Sequence, residues 1–263
     1  MQHSALLNVM IAAARKASRT LKRDFGEVEN LQVSLKGPGN FVTAADRKAE
    51  ETLKAELAKA RPGYSFLGEE SGTTAGTDTS HTWIVDPLDG TTNFLHGIPQ
   101  FAISIGLERA GTIVAGVIYN PISDELFVAE RGKGAFLNDR RLRVAARKQL
   151  SDSVIACGLP HLGRGDLDLG RRALSASQDK VAGLRRFGAA ALDMAFVAAG
   201  RLDGYWERNI SPWDIAAGII ILREAGGFVT DIDGADAMFT KKHVVAGNET
   251  IQRELQRLLK AAG

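Results

Sequence analysis

Three short segments carry carboxylates that could do chemistry together. They are Glu69 and Glu70 in GEES (68–71), Asp86 and Asp89 in DPLDGTTNF (86–94), and Asp214 in WDIAAG (213–218). Read singly, each has a plain structural explanation. Asp214 can be an early-turn acid favoured by a helix dipole, Asp89-Gly90 a turn, and Glu69 and Glu70 solvated loop acids. Read together, they supply several hard oxygen ligands at the ends of elements. Magnesium requires such a set: octahedral oxygen coordination, often shared with a substrate phosphate. Pro87 fixes φ and removes an N–H, which stiffens the turn. A rigid turn can aim Asp86 and Asp89 at one point and expose the Leu88 carbonyl as a further ligand. Gly90 lets backbone approach a ligand closely. Thr91 and Thr92 offer hydroxyls and N–H groups, and a helix starting there would present an anion site for phosphate.

Other chemistries find less support. His3, His81, His96, His161 and His243 are scattered without zinc-like spacing. The single cysteine, Cys157, excludes an intramolecular disulfide. Its setting in VIACGL reads as a buried core thiol rather than a nucleophile, and a cytoplasmic location fits. Arg131-Gly132-Lys133-Gly134 lacks phosphate-loop spacing and reads as a hairpin turn. No G-x-G-x-x-G occurs. The 33 Lys+Arg against 31 Asp+Glu leave a net charge of +2, too balanced for a dedicated nucleic-acid binder. No apolar run is long enough to span a membrane.

The elements that must position the acids follow from periodicity. Leu6, Leu7, Met10, Ala14, Ala17 and Leu21 recur at helical spacing, predicting an amphipathic first helix over about residues 4–24 rather than a targeting segment. A second helix is predicted over about residues 46–60, with Ala49, Leu53 and Leu57 on one face, Asp46 as N-cap and Pro62-Gly63 as terminator. Tyr64–Leu67 reads as a short strand ending at GEES, residues 71–81 as a polar, mobile loop, and Trp83–Val85 as a buried strand ending at Asp86. Phe101–Leu107 and Ile113–Tyr119 form a hairpin around Arg109-Ala110-Gly111, and Leu126–Ala129 and Ala135–Leu137 form another.

Beyond a boundary at about residues 147–152 with no flexible linker, Ser153–Gly158 and Val181–Arg186 read as strands around a helix. Helices follow at Ala189–Gly200 and Trp213–Ala225, the latter stopped by Gly226-Gly227. Phe228–Asp231 and His243–Ala246 are strands before a final helix, Glu249–Ala261. Mixed helices and hairpins point to a layered α+β fold rather than a doubly wound sheet.

GEES, DPLDGTTNF and WDIAAG, in this order and spacing, closely resemble the three signatures of the inositol monophosphatase family. The match runs from Val42-Thr43-Ala44-Ala45-Asp46 to Glu224-Ala225-Gly226-Gly227, and RFGAAALDMAFVAAGRLDG (186–204) is most similar to the bacterial SuhB-type branch. The resemblance implies a layered α-β-α-β-α sandwich, commonly homodimeric, with residues 1–263 as one catalytic unit. Within it, residues 1–150 would bind metal and phosphate and residues 151–263 would line the substrate. It implies a Mg2+-dependent phosphatase acting on inositol 1-phosphate with two or three ions.

By motif position, Glu69, Asp86 and the Leu88 carbonyl would hold the first ion, and Asp86, Asp89 and Asp214 the second. Glu69 would help to hold a weaker third through water. The N–H groups of Gly90 and Thr91 would hold the phosphate, and Asp46 and Thr91 would orient the attacking water. Glu207 would contact a ring hydroxyl, with Gly188, Ala189 and Ala190 lining the substrate. Ala189 stands where the family usually has Ser or Thr, and Trp206-Glu207-Arg208-Asn209 is bulkier and more charged than is common there. Related folds hydrolyse fructose 1,6-bisphosphate, histidinol phosphate or 3′-phosphoadenosine nucleotides. SuhB-type proteins are also associated with transcription antitermination as partners of the RNA polymerase machinery. For that role Arg140, Arg141, Arg143, Arg147 and Lys148 would be a contact surface, or else a solvated strand and loop edge.

Overall fold

The computed structural model describes residues 3–27, 33–37, 40–161 and 163–263, with backbone alone for 33–37 and 40–43. The chain begins with α1 (Ala5–Phe25), the hairpin β1 (Val33–Gly37) and β2 (Asn40–Thr43), and α2 (Ala44–Ala60). Then come β3 (Tyr64–Gly68), β4 (Gly72–Thr74), β5 (Asp78–Asp89) and the short α3 (Thr91–Leu95). A meander follows: β6 (Ala102–Arg109), β7 (Thr112–Asn120), β8 (Glu125–Glu130), β9 (Gly134–Leu137) and β10 (Arg140–Arg141). The second half runs β11 (Val154–Cys157), α4 (Leu167–Gln178), β12 (Gly183–Arg185), α5 (Ala190–Ala198), β13 (Gly204–Arg208) and α6 (Pro212–Glu224). It ends with β14 (Phe228–Thr230), α7 (Met238–Lys241), β15 (His243–Gly247) and α8 (Glu249–Ala261).

An eight-stranded sheet has the order β10-β9-β8-β7-β6-β5-β3-β4, and a five-stranded sheet the order β12-β11-β13-β15-β14. Helices α1 and α2 cover the outer face of the large sheet, α5 and α6 lie between the two sheets, and α4 and α8 cover the small one. This is the α-β-α-β-α sandwich implied by the sequence. Burial explains the order. Helix α1 is apolar on one stripe (Leu7, Met10, Ala14, Ala17 and Leu21), so it needs one neighbour. Helices α5 and α6 are buried nearly all round, so they fit only the central layer. The side chains of β5 alternate accordingly: Trp83 and Val85 join the core under α1 and α2, and Ile84 joins the core shared with α5 and α6.

Two facing glycines set the approach of α6. Gly106 and Gly116 are partners in β6 and β7. A Cβ on Gly106 would lie 2.7 Å from Ala216 Cβ, and one on Gly116 2.7 Å from the Ala217 carbonyl. Without side chains there, the first turns of α6 lie directly on the sheet and deliver Asp214 to its surface. Ser104 Oγ in β6 donates to the Trp213 carbonyl at 3.3 Å, fixing the same end.

Two local expectations are corrected. Residues 71–81 are not one mobile loop: β4 pairs with β3, and β5 already begins at Asp78. An edge strand needs no apolar face, so its polar sequence hid it. His81 stacks on Tyr64 with 4.3 Å between ring centroids and binds Asp78 at 2.8 Å. Asp46 is not the N-cap of α2, which starts at Ala44; it sits fully buried in the first turn.

Candidate active site

The acids converge where β5 ends. Strict alternation would put Asp86 and Asp89, three positions apart, on opposite faces of the sheet. The pairing of β5 with β6 is irregular between these two residues. That irregularity, at Pro87, turns both carboxylates toward α5 and α6. Asp214 meets them from the first turn of α6, and ligand oxygens of Asp86, Asp89 and Asp214 lie within 4.8 Å of one another. Asp86 Oδ1 accepts the Leu88 N–H at 2.9 Å. Asp89 accepts the N–H groups of Ala190 at 3.3 Å and Ala191 at 2.7 Å, so it also anchors the start of α5. Asp214 Oδ2 accepts the Ser211 N–H at 2.8 Å across the α6 terminus. The early-turn explanation of Asp214 is therefore true, and incomplete.

A cleft of about 400 Å³ opens above this cluster. Glu69, Leu88, Gly90, Thr91, Gly188, Ala189, Ala190 and Glu207 all line it. Glu69 lies outside the tight group of three, but its charge reaches Asp86, Asp89 and Asp214. Thr91 Oγ1 stands 3.1 Å from both Asp46 Oδ1 and the Leu88 carbonyl. Its single proton can serve only one of them at a time. Gly90 precedes α3 at φ +96°, and a Cβ there would lie 2.9 Å from the Gln100 carbonyl. Only glycine lets this turn close.

The electrostatics are those of a cation site. Burial, then the charges of Glu69, Asp89 and Asp214, pushes Asp86 well above the usual carboxylate range. Burial and Asp214 do the same to Asp89. Asp214 is pushed up to about 7, chiefly by burial, against the Ser211 N–H and Arg164. Arg164 Nη2 reaches Asp214 Oδ2 only at 3.7 Å. Crowded, buried, oxygen-only donors suit a hard divalent cation, so the residues fit a metal. Cys157 is excluded as nucleophile: burial pushes its thiol up to about 12.

The raised pKa of Asp214 has a stability consequence. The folded state holds its proton more tightly than the unfolded chain, so its contribution is full below about pH 4 and lost as pH rises toward about 7. In EDTA at pH 8, Asp214→Asn is therefore expected to melt several degrees above wild type, and the gap to close near pH 4. Thermal denaturation across that range checks it; a lower melting temperature at pH 8 would contradict it.

Four contributors were not legible as site residues. Glu50, 3% exposed in α2, accepts the N–H groups of Glu70 at 2.8 Å and Ser71 at 2.7 Å, and so holds the loop carrying Glu69. The signal was present: Asp46, Glu50, Leu53 and Leu57 share a helical face, which puts acids on an apolar stripe. Glu50→Ala strands both N–H groups and should cut kcat/KM about 10–100-fold while raising the metal requirement. A metal titration of activity checks this, and wild-type values would reject it. Asn93 Nδ2 ties the Gln100 and Phe187 carbonyls together, both at 2.7 Å, holding the Gly188 wall against α3. Arg164 and Asp193 also line the cleft.

A layered sandwich whose sheet ends in buried acids that could hold a metal, beside a glycine turn that opens a short helix, is the arrangement of a phosphoric monoester hydrolase. The chain belongs to the inositol monophosphatase family, whose model matches residues 2–262. It is 64% identical to an inositol-1-monophosphatase of Mesorhizobium japonicum, over 99% of this chain and 98% of that one. It is 42% identical to the Nus factor SuhB of Pseudomonas aeruginosa, over 92% and 91%. Among solved structures, the extragenic suppressor protein suhB of Bartonella henselae superposes with a TM-score of 0.95 at 61% identity, covering 98% of this chain and 99% of that one. Among the described residues, no helix is long and apolar enough to cross a membrane.

Proposed function

We propose that the chain hydrolyses inositol 1-phosphate to inositol and phosphate with Mg2+ held by Glu69, Asp86, the Leu88 carbonyl, Asp89 and Asp214. The observation that carries this is the meeting of Asp86, Asp89 and Asp214 within 4.8 Å beside the start of α3. The high identity to an inositol-1-monophosphatase supports the substrate. Two or three ions fit five oxygen-bearing residues. When bound, they lower the pKa of a water and neutralise charge on the phosphoryl group and the leaving alkoxide. Asp86, which feels the charges of Glu69, Asp89 and Asp214, would be shared between two of these ions.

The protein's own groups do the rest. The N–H groups of Gly90 and Thr91, at the open end of α3, hold the phosphate. Thr91 Oγ1 gives its proton to Asp46 and keeps its lone pairs for the attacking water, which it aims in line. The water oxygen attacks phosphorus as the bond to the polyol oxygen breaks, and one proton of that water ends on the polyol oxygen, giving the alcohol and inorganic phosphate. Catalysis is then positioning and charge stabilisation, with no covalent enzyme intermediate. Gly188, Ala189 and Ala190 form the polyol wall. Glu207, whose carboxylate accepts the Tyr205 hydroxyl at 2.5 Å, takes a ring hydroxyl.

A substrate panel tests the assignment: inositol 1-phosphate, fructose 1,6-bisphosphate, histidinol phosphate and a 3′-phosphoadenosine nucleotide. Inositol 1-phosphate should have the highest kcat/KM, and a clear preference for another member would overturn the substrate. Glu207→Gln should lower kcat/KM for inositol 1-phosphate by about 10-fold or more. The loss should be much smaller for p-nitrophenyl phosphate, which has no hydroxyl there. Equal losses on both would move Glu207 to the metals or the fold.

A binding role is a second reading, favoured by the relative named Nus factor SuhB. Arg140, Arg141 and Arg143 are exposed at the β10 edge and supply its contact surface, in a homodimer or a single chain. Arg147 is engaged by buried Asp203 at 3.0 Å. Loss of binding to RNA polymerase factors in an Arg140→Ala, Arg141→Ala, Arg143→Ala variant would support this role; unchanged binding would remove it.

A further inference from the structure

The cleft contains an acid that the mechanism above does not use. Asp193 is the only charged residue of α5 and sits in its first turn. It is 2% exposed, yet it lines the cleft, and its Oδ1 has no hydrogen-bond partner among the described residues. A buried, unpaired carboxyl oxygen is costly to keep, and an apolar residue would pack this helix at no such cost. Helix α5 packs against β13, which carries Glu207.

Glu207 lines the same cleft. Its carboxyl lies so close to Gly158 that a Cβ there would fall 1.9 Å from it, and the Tyr205 hydroxyl donates to it. Engaged with Tyr205, Glu207 does not satisfy Asp193 Oδ1. Two carboxyls on adjacent walls of one recess match a pair of neighbouring hydroxyls, since each hydroxyl can donate to one acid and accept from another donor.

We infer that Asp193 is a specificity-determining residue, which with Glu207 reads two adjacent hydroxyls of a cyclic polyol monophosphate. Burial, then the charges of Glu207 and Asp89, raises Asp193 well above the usual carboxylate range. It thus offers the hydroxyl a donor as well as an acceptor. Glu207 takes one hydroxyl and Asp193 its neighbour, so a substrate with a single hydroxyl there leaves one acid unsatisfied and binds more weakly.

This inference rests on the phosphatase reading, and the test separates the two. Asp193→Ala should lower kcat/KM for inositol 1-phosphate about 10-fold more than for p-nitrophenyl phosphate, mainly through KM. Asp193→Asn, of nearly equal size and neutral, should recover most of that loss. Removing an unpaired buried group should leave the melting temperature of Asp193→Ala unchanged or higher. Equal losses on both substrates, no selective loss, or a fall in the melting temperature of both variants would overturn the inference in favour of a structural acid. If wild type hydrolyses p-nitrophenyl phosphate but not inositol 1-phosphate, the substrate assignment fails by itself. The Asp193 comparison then proceeds with glucose 1-phosphate, a cyclic polyol monophosphate whose ring carries adjacent hydroxyls. Absence of a selective loss there too would sink the inference.

Discussion

Asp86→Asn should lower kcat/KM by at least about 10³-fold and shift the Mg2+ requirement upward for every ion the site holds. The amide keeps the size of the carboxylate and can still accept the Leu88 N–H, which Asp86 Oδ1 takes at 2.9 Å. The turn around Pro87 therefore stays formed, and the loss reports charge. Asp86 feels the charges of Glu69, Asp89 and Asp214 together. Any ion it holds would lose a full negative ligand in the variant. Asp214→Asn, proposed to hold one ion rather than two, should weaken fewer positions. Titrating Mg2+ against initial rate for both variants distinguishes them, and a wild-type profile for Asp86→Asn would refute the shared-ligand role.

Thr91→Ala should leave the metal titration nearly unchanged while lowering kcat by about 10²–10⁴-fold. Thr91 Oγ1 lies 3.1 Å from Asp46 Oδ1 and 3.1 Å from the Leu88 carbonyl. Were that carbonyl to hold an ion, as proposed, the proton would be directed to Asp46 and the oxygen's lone pairs left for water. Alanine would remove the oxygen proposed to aim the water but no proposed metal ligand. Serine restores the hydroxyl without the methyl group and should recover most of the rate. A kcat unchanged in Thr91→Ala would remove the residue from the mechanism. A large rise in metal requirement would make it a support of the Leu88 carbonyl instead.

The parts of this site readable in the sequence were those set by local motif. Asp86, Pro87, Asp89 and Gly90 lie within five residues, and the stiff turn and the glycine approach follow from their types. The Asp46–Thr91 contact spans 45 positions and came from resemblance; periodicity alone made Asp46 a cap. Contacts made only by packing were not readable. Asp89 reaches the α5 amides across 101 and 102 positions. Glu50 and Asp193 were visible only as acids on faces that should be apolar, a sign that something must be held but not what. The layers were legible because helix faces differ in how much they must bury. The β4 edge was missed because a strand paired along one side can be polar throughout.

The most direct measurement is phosphate release from inositol 1-phosphate by protein stripped with excess EDTA, dialysed, and then supplied with Mg2+. The buried carboxylates of Asp86, Asp89 and Asp214 repel one another, and Arg164 reaches Asp214 only at 3.7 Å, so water activation and charge neutralisation are assigned to a metal ion. The account predicts no detectable turnover after stripping and full recovery on adding Mg2+. Full activity in excess EDTA would contradict it.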